Sequence, residues 1–210
     1  MRTIDRATWA RRSHFELFRG MAYPYVSLTA PVDVSPIRDV VARRGGGLFK
    51  PTLWAVSTAA NAVPALRQRI RGDTVVEHEV VHPSYTALAT DAVFNYCTVD
   101  HDEAIEAFFA SVDRANAAVA NQTDLVPDAP HRDDLLFLSA IPWRRITSFG
   151  HPVPLDPPDS FPRISWSRIE TNGEVSMQVT ANHALVDGVH IARFFDAVED
   201  AARRVAAALD

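Results

Sequence analysis

Residues 182–190 read Asn182-His183-Ala184-Leu185-Val186-Asp187-Gly188-Val189-His190, and they sit between the two most regular patterns in the chain. Upstream, Val175, Met177, Val179 and Ala181 alternate with Ser176, Gln178, Thr180 and Asn182, the period of a strand with one apolar face. Downstream, Ile191, Phe195, Val198, Ala202, Val205 and Leu209 step alternately by four and three, the stripe of an amphipathic helix from about Val189 to Leu209. The stretch is therefore a strand-to-helix turn. His183 continues the apolar phase of the strand, where a histidine is costly to bury unless both ring nitrogens have partners. A neutral imidazole held in one orientation there is suited to general-base work on a bound hydroxyl or thiol. Asp187 either orients this turn, with or without an arginine, or simply begins the helix near its positive end. On spacing alone, a satisfied core histidine and a helix-start aspartate are the simpler reading.

Working outward, Asn172-Gly173 separates two strand-like segments and predicts a hairpin. Leu135-Leu136-Phe137-Leu138-Ser139 is a short apolar strand stopped at Pro142, which places Ser139 near a strand end. Between these, His151 to Pro162 carries five prolines, at 152, 154, 157, 158 and 162, and reads as an extended surface connection rather than a domain linker. Asn121 to Asp134 reads as a polar loop. Helices are predicted over Glu103–Ala120, with Ile105, Phe108, Phe109 and Val112 inward, and over Thr52–Asn61, ended at Pro64. Val75–Val81 and Tyr85–Thr98 read as a hairpin about His82-Pro83-Ser84, and Tyr25–Val32 as a strand leading to a helix start at Asp33 and Pro36. Trp9, Phe15 and Phe18 mark a short amphipathic helix near the start. The class is α/β or α+β, a mixed β-sheet flanked by helices.

The composition narrows the function. The 210 residues are 47% hydrophobic and 22% charged, enough to bury a substantial core. With 21 Lys and Arg against 26 Asp and Glu, there is no basic excess to draw the chain to nucleic acid or anionic lipid. One cysteine, Cys97, excludes an internal disulfide framework and a multi-cysteine zinc site. No run approaches the roughly 18 apolar residues of a membrane span. A cytoplasmic protein with no metal is expected. His78, His82, His101, His131 and His151 read as solvated loop or turn residues without the paired spacing of a metal site.

The segment around His183 resembles the His-His-x-x-x-Asp-Gly signature of type A chloramphenicol acetyltransferases, a branch of the coenzyme A-dependent acyltransferase superfamily. Trp9-Ala10-Arg11-Arg12-Ser13-His14-Phe15 is similar to that family's Trp-x-Arg-x-Glu-His-Phe opening, and Ser139-Ala140-Ile141-Pro142-Trp143 to its Ser-x-x-Pro-Trp strand. The matches run in family order over nearly the whole chain. The resemblance implies one chloramphenicol acetyltransferase-like domain over 1–210 that moves an acetyl group from acetyl-CoA, a co-substrate, to a small-molecule hydroxyl. It makes His183 the base, Ser139 the donor to the oxyanion, and Asp187 with Arg11 a structural ion pair. Aligning Pro162 with the family's Pro-x-x-Thr segment puts Ser165 at a threonine that helps hold a water. A homotrimer is also implied, with active sites between subunits.

The chain departs from the pattern at Asn182 for the first histidine, Val186 for a common cysteine, Phe18 for a pocket tyrosine and Ala104 for a pocket aromatic. Chloramphenicol is the default acceptor, and these departures leave another alcohol open. Two further readings are a dihydrolipoyl acyltransferase core, which the Trp9–Phe18 match opposes, and a non-catalytic small-molecule-binding relative.

Overall fold

The computed structural model describes residues 1–120, 122, 124–125 and 131–210. The strand predicted before His183 is β9 (Glu174–Asn182), and it lies inside a six-stranded sheet. The other strands are β2 (Tyr25–Asp33), β5 (His82–Leu88), β6 (Phe94–Thr98), β7 (Leu135–Ile141) and β8 (Arg163–Ser167), in the spatial order β2-β9-β8-β7-β5-β6. β7 pairs in parallel with both β5 and β8, and the remaining pairs are antiparallel, so the sheet is mixed as expected. β1 (Arg2–Thr3), β4 (Thr74–Glu77) and β3 (Gln68–Arg71) form a separate three-stranded sheet.

The helices are α1 (Arg12–Arg19), α2 (Ser35–Arg44), α3 (Phe49–Ala62), α4 (Ile105–Val119) and α5 (Gly188–Leu209). Their apolar stripes cover one face of the large sheet. Val175, Met177, Val179 and Ala181 of β9 meet Ile191, Phe194, Val198 and Val205 of α5 in one buried cluster with Leu53, Trp54 and Val56 of α3. None of the described helices is long and apolar enough to cross a membrane.

The hairpin at Asn172-Gly173 is present, since β8 and β9 pair antiparallel. Gly173 takes φ 89°, and a Cβ there would sit 2.3 Å from Ser35 Cβ at the start of α2, so both backbone conformation and space require glycine. The predicted hairpin about His82-Pro83-Ser84 is not formed. Val75 to Glu77 pairs with Gln68–Ile70 in the small sheet, and His82 begins β5 beside Leu135 of β7. The chain reverses instead after Leu88, where Ala89 N–H donates to Val93 O at 2.9 Å. The Thr90 hydroxyl oxygen accepts from the N–H groups of Ala92 and Val93 at that turn. A threonine side chain thus does the work expected of a glycine, which hid the turn inside an apparent single strand.

The connection over 151–162 joins β7 to β8 as an extended segment exposed at Pro152 and from Pro154 to Pro157, as expected, but together with Phe149 it also covers part of the sheet. It lies across the second face of the sheet, where the Phe149 N–H donates to Gln178 Oε1 and Asn182 Nδ2 donates to Asp159 O at 2.9 Å. The polar phase of β9 is therefore buried as well: Gln178, Thr180 and Asn182 are each under 5% exposed. The loop predicted over Asn121–Asp134 lies partly outside the described residues.

Candidate active site

The turn after β9 is built on side chains. Asn182 Oδ1 accepts the Ala184 N–H at 3.0 Å while its amide holds the Asp159 carbonyl, so the residue before His183 is anchored on both sides. His183 N–H donates to Pro24 O at 2.7 Å, tying the turn to the segment that precedes β2. Asp187 then caps α5: its Oδ1 accepts from Gly188 N–H, and its own N–H donates to His190 Nδ1 at 2.9 Å. The Gly188 backbone bond is the main cause that holds the Asp187 carboxyl below the usual carboxylate range, and Arg11 adds to it.

Within this turn, His183 Nδ1 lies 2.8 Å from Val186 O. A carbonyl only accepts, so Nδ1 carries a proton, and in the neutral ring Nε2 keeps its lone pair. Phe18 stacks on the ring with centroids 3.9 Å apart and planes at 27°, leaving His183 half-buried. Arg11 divides its guanidinium between the two residues, donating to His183 O at 2.9 Å and reaching Asp187 Oδ2 at 3.5 Å. The ion pair exists, but the closer bond is to the backbone of the histidine. Among the described residues, no partner meets His183 Nε2.

Ser139 and Ser165 lie elsewhere. They are directly opposed on β7 and β8, and Gln178 of β9 opposes Ser165 in turn, so all three side chains share the face away from the helices. On that face is an open cavity of about 1070 Å³ with aromatic walls that include Phe94, Tyr96, Phe137, Trp143 and Phe149. Its polar wall is Ser139, Ser165, Thr86 and His151. Ser139 Oγ is 3.1 Å from Thr86 Oγ1, and the two arginines on the cavity, Arg132 and Arg163, are paired with Asp134 and Asp159. His183 does not line the cavity. Asn182 is four residues from Gln178 (182 − 178), about 13 Å along the strand, and His183 lies beyond it.

The structure thus gathers His183, Asp187, Arg11 and Phe18 in one corner and Ser139 with Ser165 in the cavity. Ala104 joins neither: it is the exposed residue that starts α4, and Phe94 and Tyr96 of β6 supply aromatic rings to the cavity. The histidines expected in solvent mostly have partners. His78 is buried; His82 Nδ1 accepts from His101 N–H at 2.9 Å, His101 Nδ1 is 3.0 Å from Ser57 Oγ, and His131 is exposed. His151 bridges Ser165 and Thr180, at 2.8 and 2.9 Å. Sequence reasoning missed it because it sits on irregular backbone with no periodicity to mark an inward face. Among the described residues, no His, Cys, Asp and Glu group is placed to hold a metal ion.

The family model for chloramphenicol acetyltransferases matches residues 1–199. The chain belongs to the chloramphenicol acetyltransferase family. Chloramphenicol acetyltransferase 2 and chloramphenicol acetyltransferase 3 of Escherichia coli are each 24% identical to it, over 93% and 94% of this chain and 94% of theirs. A chloramphenicol acetyltransferase of Streptomyces acrimycini is 26% identical over 90% of this chain and 89% of its own. Among solved structures, a chloramphenicol acetyltransferase superposes with a TM-score of 0.80 at 23% identity, covering 95% of this chain and 98% of that one. A probable dihydrolipoamide acetyltransferase from Listeria monocytogenes has the same fold at a TM-score of 0.65 and 14% identity, covering 98% and 94%. The chain is accordingly an enzyme of the acyltransferase class, and the full-length match to chloramphenicol acetyltransferases weighs against the dihydrolipoyl reading.

Proposed function

We propose that the protein transfers the acetyl group of acetyl-CoA to a hydroxyl of a small molecule, with chloramphenicol the default acceptor. The observation that carries this reading is the bond from His183 Nδ1–H to Val186 O, because it leaves Nε2 as a fixed base with no other partner among the described residues. Nε2 takes the acceptor O–H proton as the acceptor oxygen bonds to the thioester carbon. The carbonyl oxygen becomes an oxyanion, which the Ser139 hydroxyl stabilises by donating a hydrogen bond. Collapse breaks the C–S bond, the proton on Nε2 passes to the departing CoA sulfur, and the ring returns to its starting tautomer. Arg11 and Asp187 hold the turn, Phe18 packs on the ring of the base, and Ser165 serves the cavity in which the acceptor sits.

In this reading two copies form each site. The reacting atom must lie about 3 Å from both the base and the oxyanion donor, which His183 and Ser139 of one protomer do not satisfy. A neighbouring subunit's cavity, facing the His183 corner, supplies the missing half, and the homotrimer implied by family resemblance is the expected assembly.

A second acceptor class is favoured by one observation. The ring on His183 is Phe18, which offers no hydroxyl, while the cavity carries His151 and the Arg163–Asp159 pair, so a different alcohol fits the same chemistry. The test is release of free CoA thiol from acetyl-CoA with chloramphenicol and a panel of other alcohols, native against His183→Ala at equal oligomer content. Turnover abolished by His183→Ala supports the reading. Binding of CoA with no turnover on any alcohol contradicts it and favours a binding protein.

A further inference from the structure

His151 enters the cavity wall from irregular backbone between β7 and β8, yet both ring nitrogens are engaged. Nδ1 meets Thr180 Oγ1 at 2.9 Å and Nε2 meets Ser165 Oγ at 2.8 Å. Thr180 is itself held by Ser27 Oγ at 2.9 Å and by Gln178 Nε2 at 3.4 Å. Gln178 Oε1 in turn accepts from the Thr29 hydroxyl at 3.0 Å and from the Phe149 N–H. A continuous run of bonds thus crosses from the edge strand β2 through β9 to His151 and ends at Ser165. Ser165 is fully buried in the protomer, and His151 is its only side-chain partner among the described residues.

We propose that His151 is a positioning residue that fixes the Ser165 hydroxyl on the cavity wall beside Ser139, and so shapes the acceptor side of the site. A serine hydroxyl on a cavity wall otherwise samples three staggered rotamers. A bond to a planar ring that is tied at its far nitrogen selects one of them. The ring adds no charge at neutral pH: burial, with Arg163 adding to it, pushes its pKa down to about 4. A neutral imidazole donates one bond and accepts one, which matches the two partners present. In either direction of the network, Ser165 keeps a hydrogen-bonding valence free for the cavity.

This inference rests on the proposed acetyl transfer, and the test separates the two. Steady-state kinetics with acetyl-CoA and the best acceptor compare native protein, His151→Leu, Ser165→Ala and the double variant at equal oligomer content. His151→Leu is expected to lower kcat about five- to tenfold, on the scale of one hydrogen bond, with KM for acetyl-CoA unchanged. The double variant is expected to be no worse than Ser165→Ala, the mark of residues acting through one another. An unchanged kcat or additive losses would overturn the proposal. Nitrogen NMR of the His151 ring reports without activity: Ser165→Ala is expected to move the Nε2 resonance more than Nδ1. A ring that titrates at the ordinary histidine midpoint and ignores Ser165→Ala overturns the positioning even if the enzyme turns over. If native protein releases no CoA, the acetyl-transfer reading falls, and the NMR response alone decides whether His151 positions Ser165.

Discussion

The His183 corner and the Ser139 cavity are built on opposite principles. In the corner, nearly every polar group is closed on a neighbour: Asn182 bridges Asp159 and Ala184, Arg11 spans His183 O and Asp187, and His183 Nδ1 donates to Val186 O. Among the described residues, His183 Nε2 and the buried Arg11 Nε are left without a partner there. The cavity is the reverse, an open space of about 1070 Å³ whose serines sit on central strands, Ser139 held by Thr86 and Ser165 by His151. In the proposed reading the corner supplies the base and the cavity the acceptor pocket, whose own histidine, His151, has both ring nitrogens engaged. The difference supports the proposal that neither region is a site alone and that each is preorganised before the other arrives.

The largest effect is expected at the corner. His183→Ala should lower kcat by about 10²- to 10⁴-fold, the range for losing a general base, with the unfolding temperature nearly unchanged. A fall in KM alone, with kcat retained, would break the assignment of the base. Ser139→Ala should cost up to about 10²- to 10³-fold in kcat, the range for one oxyanion donor, and little in acetyl-CoA affinity. An equal loss in both variants through KM would mean that the two regions bind rather than react.

A smaller effect belongs to the scaffold of the corner. Asp187→Ala removes the cap of α5 and the carboxylate that Arg11 approaches, and it should destabilise the fold by about 1 kcal/mol, lowering Tm by about 2–4 °C. The scaffold of the cavity wall should show a pH dependence instead. His151 is neutral in the fold, with a pKa lowered from 6.5 to about 4, whereas the unfolded chain takes up its proton near 6.5. Between these values the unfolded state binds more protons, so stability contributed by the neutral ring is full above about 6.5 and declines as pH falls toward 4. Thermal unfolding from pH 7 to 4 should therefore drop more steeply for native protein than for His151→Leu. Parallel curves would sink the account of a buried neutral ring.

Much of this was legible in the sequence where periodicity reports burial. The stripe from Ile191 to Leu209 became α5, and the alternation from Val175 to Ala181 became β9, because each buries one apolar face against the other. His183 and Asp187 are legible as neighbours because one short turn carries both, whereas Arg11, more than 170 residues away in sequence, is legible only through the resemblance of its segment. The reversal after Leu88 was not, since Thr90 makes it with a hydroxyl in place of a glycine. The burial of Gln178 and Thr180 was also hidden, because the segment that covers them has no period of its own. His151 is hidden for the same reason, and Ala104, expected beside a pocket from the resemblance, is exposed and outside the cavity that Phe94 and Tyr96 line.

Subunit mixing tests the central claim most directly. His183→Ala and Ser139→Ala chains, each nearly inactive alone, are co-expressed with different tags, and hetero-oligomers carrying both are purified and assayed for CoA release. If the base of one copy serves the cavity of another, interfaces that pair an intact His183 with an intact Ser139 recover activity, about a third of native for a purified head-to-tail hetero-trimer, in which one interface of the three is intact. Activity no greater than that of the two parents would contradict the shared site.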